Sequence, residues 1–111
     1  MTTITPALLV APQLLGTSDT SLYSPATPTS AQIGRAVFTN TSASATTITA
    51  GLSISGALGA TPMISARAIA PGESYVSPEL AGLVIPPNAH LNAFAGAAAS
   101  VSLEVSGVLI Q

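Results

Sequence analysis

Apolar and polar positions alternate with a period of two along much of the chain. In residues 46–55, Ile48, Leu52 and Ile54 fall on one side, and threonines and serines fall on the other. This alternation is typical of a strand in an antiparallel sheet with one buried face and one wet face. Less regular runs between Gly, Pro, Asn and Ser predict further strands at 13–15, 21–24, 31–39, 63–70, 73–76, 84–85, 91–95 and 100–110.

Two of these strands break the strict alternation. In 31–39 apolar residues occur on both faces, which predicts either a bulge or a strand covered on both sides. In 100–110 the apolar parity switches after Gly107, and a glycine at such a switch predicts a β-bulge. Pro71-Gly72 is a strong turn signal between two of the strands.

Short strands at close spacing, with no helix between them, predict an all-β fold. We expect an antiparallel β-sandwich, either a jelly roll or an immunoglobulin-like fold, formed by a single domain over residues 13–111. Residues 1–12 contain two prolines and no clear alternation, which predicts an extended N-terminal arm.

The arm contains an apolar cluster between its prolines, formed by Leu8, Leu9 and Val10. We expect this cluster to pack on a neighbouring subunit, by strand addition or by insertion into a groove. The alternative is a frayed terminus.

Charge is scarce: the 111 residues include two arginines, four acidic residues and no lysine or cysteine. A nucleic-acid-binding protein needs a basic surface, and an enzyme needs convergent titratable groups or a metal. We therefore expect no catalytic residues, no cofactor, no metal and no nucleic-acid partner. No apolar run is long enough to predict a membrane span, so no membrane partner is expected either. A sparsely charged surface is tolerated when it is buried in an assembly.

A few polar and aromatic residues remain as candidates for an interface. Arg35 and Arg67 lie within strands, where an ion pair or an intersubunit contact with a glutamate is the expected use. Tyr23 and Tyr75 are the aromatic candidates, because a phenol tolerates a half-wet position. His90 is a lone histidine and is expected to be structural.

Several motifs resemble, in order, those of small β-sandwich virion proteins from tailed bacteriophages. The matching segments are spread over most of the chain from about residue 14 and are Thr20–Ala26, Asn40–Ser42, Ala70–Tyr75, Leu80–Ile85 and Val105–Ile110. This chain departs from the family pattern in three places. It has Asn88 and Ala89 where many relatives have a Gly-Asp turn, and it lacks the usual lysine of the second strand. Its arm over residues 1–12 is longer than usual.

The resemblance implies a virion structural protein. The expected role is a capsid decoration or cement protein on the capsid surface, a homotrimer that binds the major capsid protein or another virion protein. A tail, neck or fibre component is the first alternative. A carbohydrate-binding or adhesive module, a protein of a different class, is the second.

Overall fold

The protein is an all-β sandwich without helices in the residues that the structure describes. The computed structural model describes residues 3–54, 58 and 62–111. In chain order its strands are β1 Ile4–Leu14, β2 Thr20–Tyr23, β3 Ser30–Asn40, β4 Thr46–Ser53, β5 Ile64–Ile69, β6 Ser74–Val76, β7 Val84–Ile85, β8 His90–Ala95 and β9 Val101–Ile110. Eight of the nine predicted strands are confirmed to within two residues at each end, although residue 55 of the predicted strand 46–55 lies outside the described residues. The predicted strand 13–15 overlaps only the end of β1.

The strands form two antiparallel sheets. The five-strand sheet has the order β1-β9-β3-β6, and β7 also pairs with β3; the four-strand sheet has the order β2-β8-β4-β5. Because β6 pairs with one end of β3 and β7 with the other, they form two halves of one interrupted edge strand. With β6 and β7 counted as one, eight strands divide into two sheets of four in the order of a jelly roll. Of the two sandwich folds that the sequence left open, the strand order therefore identifies the jelly roll.

The inward faces of both sheets supply the core. Phe38, Ile33 and Leu103 of the five-strand sheet are 0–1% exposed, as are Ile48 and Leu91 of the opposing sheet. Removing this apolar surface from water is the main favourable contribution to folding.

β9 lies at the centre of the five-strand sheet, and both of its neighbours bulge beside it. Leu8 and Val10 of β1 pair with consecutive residues of β9, which leaves Leu9 as an extra residue. Ile33 and Arg35 of β3 also pair with consecutive residues of β9, which leaves Gly34 extra. The bulge predicted at Gly107 therefore occurs at this level of the sheet, but its extra residues belong to the neighbouring strands. The bulge on β3 explains why Ile33 and Ala36 both face inward.

The prediction of an extended N-terminal arm over 1–12 is not confirmed for the described residues. Ile4–Leu14 instead forms β1, the edge strand of the five-strand sheet, along the full length of β9. The two prolines hid this strand in the sequence, because proline is depleted in strands and confined there to edges and bulges.

The outward face of β4 is less wet than the alternation predicted. Gly51 and Ser53 are buried on that side. A methyl group on Gly51 would lie 2.9 Å from the backbone nitrogen of Met63 and 3.2 Å from the Leu58 side chain. Leu58, Pro62 and Met63, which are described residues of the β4–β5 connection, therefore cover this part of the strand. Ile54, predicted to point inward with Ile48, lies beyond the strand end and is 84% exposed.

Candidate interaction surface

The three apolar residues predicted to contact a neighbouring subunit have different positions in β1. Leu9 and Val10 are 7% and 2% exposed, because they pack into the core of their own domain. Leu8 is 55% exposed and points outward. Of the three, only Leu8 is available for an interface while β1 keeps this position.

The open edge of β1 is interrupted by Pro6. Thr3 and Gln111 exchange both backbone hydrogen bonds, at 2.8 and 2.9 Å. Hydrogen-bonded and non-hydrogen-bonded pairs alternate in an antiparallel ladder, so the pair Pro6–Val108 is a non-hydrogen-bonded one. The nitrogen of Pro6 therefore faces the open edge, where it has no hydrogen to donate. Proline on an edge strand is a known protection against strand addition, so the geometry disfavours the strand-addition mode that the sequence allowed.

The outward face of the five-strand sheet is largely apolar beside this edge. We call the outward-facing side chains of β1, β9, β3 and β7 the outer face. Its cross-strand neighbours include Ile4 with Ile110, Pro6 with Val108, and Gln32 with Val84. Ile4, Leu8 and Val84 are 64%, 55% and 48% exposed. Exposed apolar side chains grouped on one face are typical of an interaction site, whereas single ones are ordinary.

A shallow hollow lies in the middle of the outer face, where the glycine-containing bulge of β3 meets β9. It has a volume of about 330 Å³ and is lined by Gln32, Ile33, Gly34, Gly82, Gly107 and Val108. A second, more open depression continues from it to Pro6 and Leu8. Gly34 and Gly107 line it without side chains, so backbone forms part of its floor.

Two residues of opposite charge lie on the outer face beside the hollow. Arg35 pairs with Ser106 of β9, and Glu104 pairs with Val37 of β3, so the two charged residues are diagonal neighbours on adjacent strands. Both are exposed. No ion pair joins them in the described part of the chain, and these are the two charged residues of this face.

Arg67 and Tyr75, also predicted for an interface, contact each other where the two sheets meet. The guanidinium carbon of Arg67, on β5, lies 4.0 Å from the centroid of the Tyr75 ring, on β6. This is a cation–π geometry. The Tyr75 hydroxyl donates a hydrogen bond of 2.5 Å to Oε1 of Glu79. These three side chains therefore connect the edge of one sheet to the edge of the other.

The contacts of this cluster shift two pKa values in opposite directions. The hydrogen bond from Tyr75 is the main cause that lowers the pKa of Glu79 below its usual 4.5. Desolvation, followed by the same hydrogen bond, raises the pKa of Tyr75 above 10.0. The polar groups of this cluster thus find their partners within the same chain, which makes these residues weaker interface candidates than Arg35.

Tyr23 lies apart from both groups, on β2, and packs against the core. Burial raises the pKa of its hydroxyl above 10.0. The structure therefore does not gather the predicted residues into one site: Leu8 and Arg35 share the outer face, Arg67 and Tyr75 share the sheet junction, and Tyr23 belongs to neither.

Three polar contacts between distant parts of the chain were not predicted from the sequence. The Ser21 hydroxyl lies 2.9 Å from Nδ1 of His90, on the neighbouring strand. The Asp19 carboxylate accepts hydrogen bonds from the backbone nitrogen of Leu58, at 2.7 Å, and from the Asn92 amide, at 2.8 Å. No local sequence motif predicts these pairs, because their members are 39 to 73 residues apart.

Neither a metal site nor a membrane-spanning helix is found in the described ranges. No three His, Asp or Glu side chains come together there in a way that could hold a metal ion. None of the described residues forms a helix of the length and hydropathy needed to span a bilayer.

Comparison with known proteins provides no relative for this chain. No family model, no curated protein and no solved structure matches it.

Proposed function

We propose that this chain is a structural protein of a tailed-bacteriophage virion, a decoration or cement protein of the capsid surface. It acts as a homo-oligomer, with a trimer as the expected state, and binds the major capsid protein or another virion protein. The proposal includes no catalytic activity, cofactor or nucleic-acid partner.

The observation that carries the proposal is the outer face of the five-strand sheet. It combines exposed apolar side chains with only two charges, Arg35 and Glu104. A surface of this kind gains free energy when it is buried against another protein. The ordered motifs that resemble those of small phage virion proteins, and a jelly-roll strand order that also occurs in viral capsid domains, give further support.

The proposed mechanism is burial of surface repeated over many copies. A single small contact is weak, but contacts linked through an oligomer act together, because the second contact forms at high effective concentration. Each bound oligomer would raise the free energy needed to separate neighbouring shell subunits.

Quantitative mass spectrometry of purified virions, with heads and tails separated, tests the proposal. We expect hundreds of copies per particle in the head fraction. A few copies confined to tails or necks would assign the chain to that part of the virion instead. Absence from both fractions would refute the virion function.

A carbohydrate-binding module is the alternative from another class, because jelly rolls also occur in lectins. Sugars commonly stack on exposed aromatic rings, and this chain has no tryptophan and four aromatic residues. Phe38 among them is fully buried. Specific binding on a glycan array, together with absence from virions, would favour this alternative.

A further inference from the structure

We infer that the outer face of the five-strand sheet binds a second copy of this chain, with Arg35 of one copy paired to Glu104 of the other. The inference rests on the proposed function only in that it names the surface for the self-association proposed there. The argument itself uses the shape, charge and size of the face.

Shape favours a second copy because the face carries both a projection and a recess. Leu8 is 55% exposed at one side, and the hollow over Gly34 and Gly107 lies next to it. A surface with both features can be complementary to itself, as an interface between identical subunits requires. In a face-to-face arrangement, Leu8 of each copy can enter the hollow of its partner.

Charge favours the same partner. The face carries one arginine and one glutamate, and neither has an ion-pair partner within the described part of the subunit. When two identical faces meet about a two-fold axis, each Arg35 can lie opposite the partner's Glu104, which gives two equivalent pairs. Around a three-fold axis, each copy would give Arg35 to one neighbour and Glu104 to the other. An unrelated apolar partner would bury both charges without supplying an opposite charge to either, at a cost in desolvation.

The size of the face is adequate for a modest interface. The three long strands, about 4.8 Å apart and about 10 residues long, span roughly 14 by 33 Å, and with the two residues of β7 the face is on the order of 500 Å² in projection. A standard interface removes about 800 Å² of accessible surface from each partner. Protruding side chains give the face a larger accessible area than its projected area. Even so, most of the face would have to be buried for the interface to reach the standard size. Edge-to-edge pairing of β1 is disfavoured by Pro6, which leaves the face as the contacting surface.

Charge reversal followed by sedimentation velocity tests the pairing directly. Wild-type chain should sediment as a dimer or trimer at micromolar concentration. Arg35→Glu and Glu104→Arg should each weaken association more than about tenfold, because each places like charges opposite one another. A 1:1 mixture of the two variants should associate again, because each Glu at position 35 then faces an Arg at position 104 of the other variant.

Two matched variants control for changes in charge and polarity elsewhere. Arg67→Glu reverses the other arginine, and Ala68→Asp places a charge on an exposed residue of the four-strand sheet. Both should associate like the wild type, whereas Leu8→Asp should not. Circular dichroism of every variant verifies that it is folded. The mixing experiment uses only Arg35→Glu and Glu104→Arg, which change exposed residues.

Three results would overturn the inference. The first is a wild type that is monomeric at 100 μM, on the order of the weakest affinities expected for a specific homo-oligomer. The second is that the control variants weaken association as much as the charge reversals do, and the third is that the 1:1 mixture fails to associate. The outcome is independent of the virion experiment, because it uses only the purified chain. A monomeric chain found on phage heads would keep the virion role but remove both the proposed self-association and this interface.

Discussion

Gly107 lies so close to the backbone of Gln32 that a side chain at this position cannot be accommodated without a shift of the sheet. A Cβ built on Gly107 would lie 2.0 Å from the carbonyl oxygen of Gln32 and 3.0 Å from the nitrogen of Gly34. The close contact occurs where the bulge of β3 passes the central strand. The glycine is therefore required by the distance between two backbones.

Gly107→Ala should reduce the free energy of unfolding by about 3 kcal/mol, because the methyl group would separate β3 from β9. Gly34→Ala is the matched control, since its Cβ would lie at an ordinary 3.5 Å from the Ser106 carbonyl oxygen. Urea unfolding of both variants measures the difference. Similar stabilities for the two would contradict the steric explanation.

Asn40→Ala should also destabilise the fold, by about 3 kcal/mol. Asn40 is fully buried, and its side-chain amide donates to the carbonyl oxygens of Ser44 and Ile69 at 2.9 and 3.0 Å. Its side-chain oxygen accepts from the backbone nitrogen and the hydroxyl of Ser42. Removing the side chain would take away the donor to the buried carbonyl oxygen of Ile69 and the acceptor of the part-buried Ser42 backbone nitrogen.

Thermal unfolding of Asn40→Ala and of Thr39→Ala, a half-buried neighbour on the opposite face, provides the measurement. Thr39 has one exposed contact, to Ser74, so its loss should change the stability little. A small effect at Asn40 would mean that water replaces the lost hydrogen bonds.

Tyr75→Phe should return the pKa of Glu79 toward 4.5, because the hydrogen bond from the hydroxyl is the largest cause of its depression. NMR titration of the Glu79 side-chain carboxyl carbon measures this shift. Tyr23→Phe is the control, since that hydroxyl makes no contact with Glu79. An unchanged Glu79 titration in Tyr75→Phe would show that a group other than the Tyr75 hydroxyl lowers the pKa of Glu79.

The two shifts also fix the pH dependence of stability. The lowered pKa of Glu79 contributes stability that is present above about pH 4.5 and is lost as the pH falls through its folded-state pKa. The raised pKa of Tyr75 contributes stability that is present below about pH 10.0 and is lost as the pH rises through its folded-state pKa. Solvent screening limits each contribution to less than about 1 kcal/mol. Compared with the wild type, Tyr75→Phe should therefore lose less stability at both extremes of pH in urea titrations.

Pro6→Ala should increase aggregation, because it restores a backbone donor on the open edge of β1. Thr5→Ala is a suitable control, since the register places the backbone nitrogen of Thr5 toward β9. Light scattering and thioflavin fluorescence during prolonged incubation follow the effect. If both variants aggregate at the same rate, the edge does not depend on Pro6 for its protection.

The sequence by itself determined the class of fold and the location of most strands. Alternation in 46–55 and 100–110 is a local consequence of burying one face of a strand, so it can be read from neighbouring residues. The Pro71-Gly72 turn is local in the same way, and Gly72 has the positive φ of 74° that the second central position of a type II turn requires. The scarcity of charge likewise needs no structure to be recognised.

Only the tertiary structure decided how strands from distant parts of the chain are paired. β1 was hidden by its prolines, and its partner β9 lies at the other end of the sequence. The separate positions of Arg35 and Arg67, one on the outer face and one against Tyr75, follow from strand order and register. Register is set by the combined burial of both sheets, and a shift of one residue would exchange the two faces of a strand. The outer face is therefore a property of the folded chain, and no local sequence pattern predicts it.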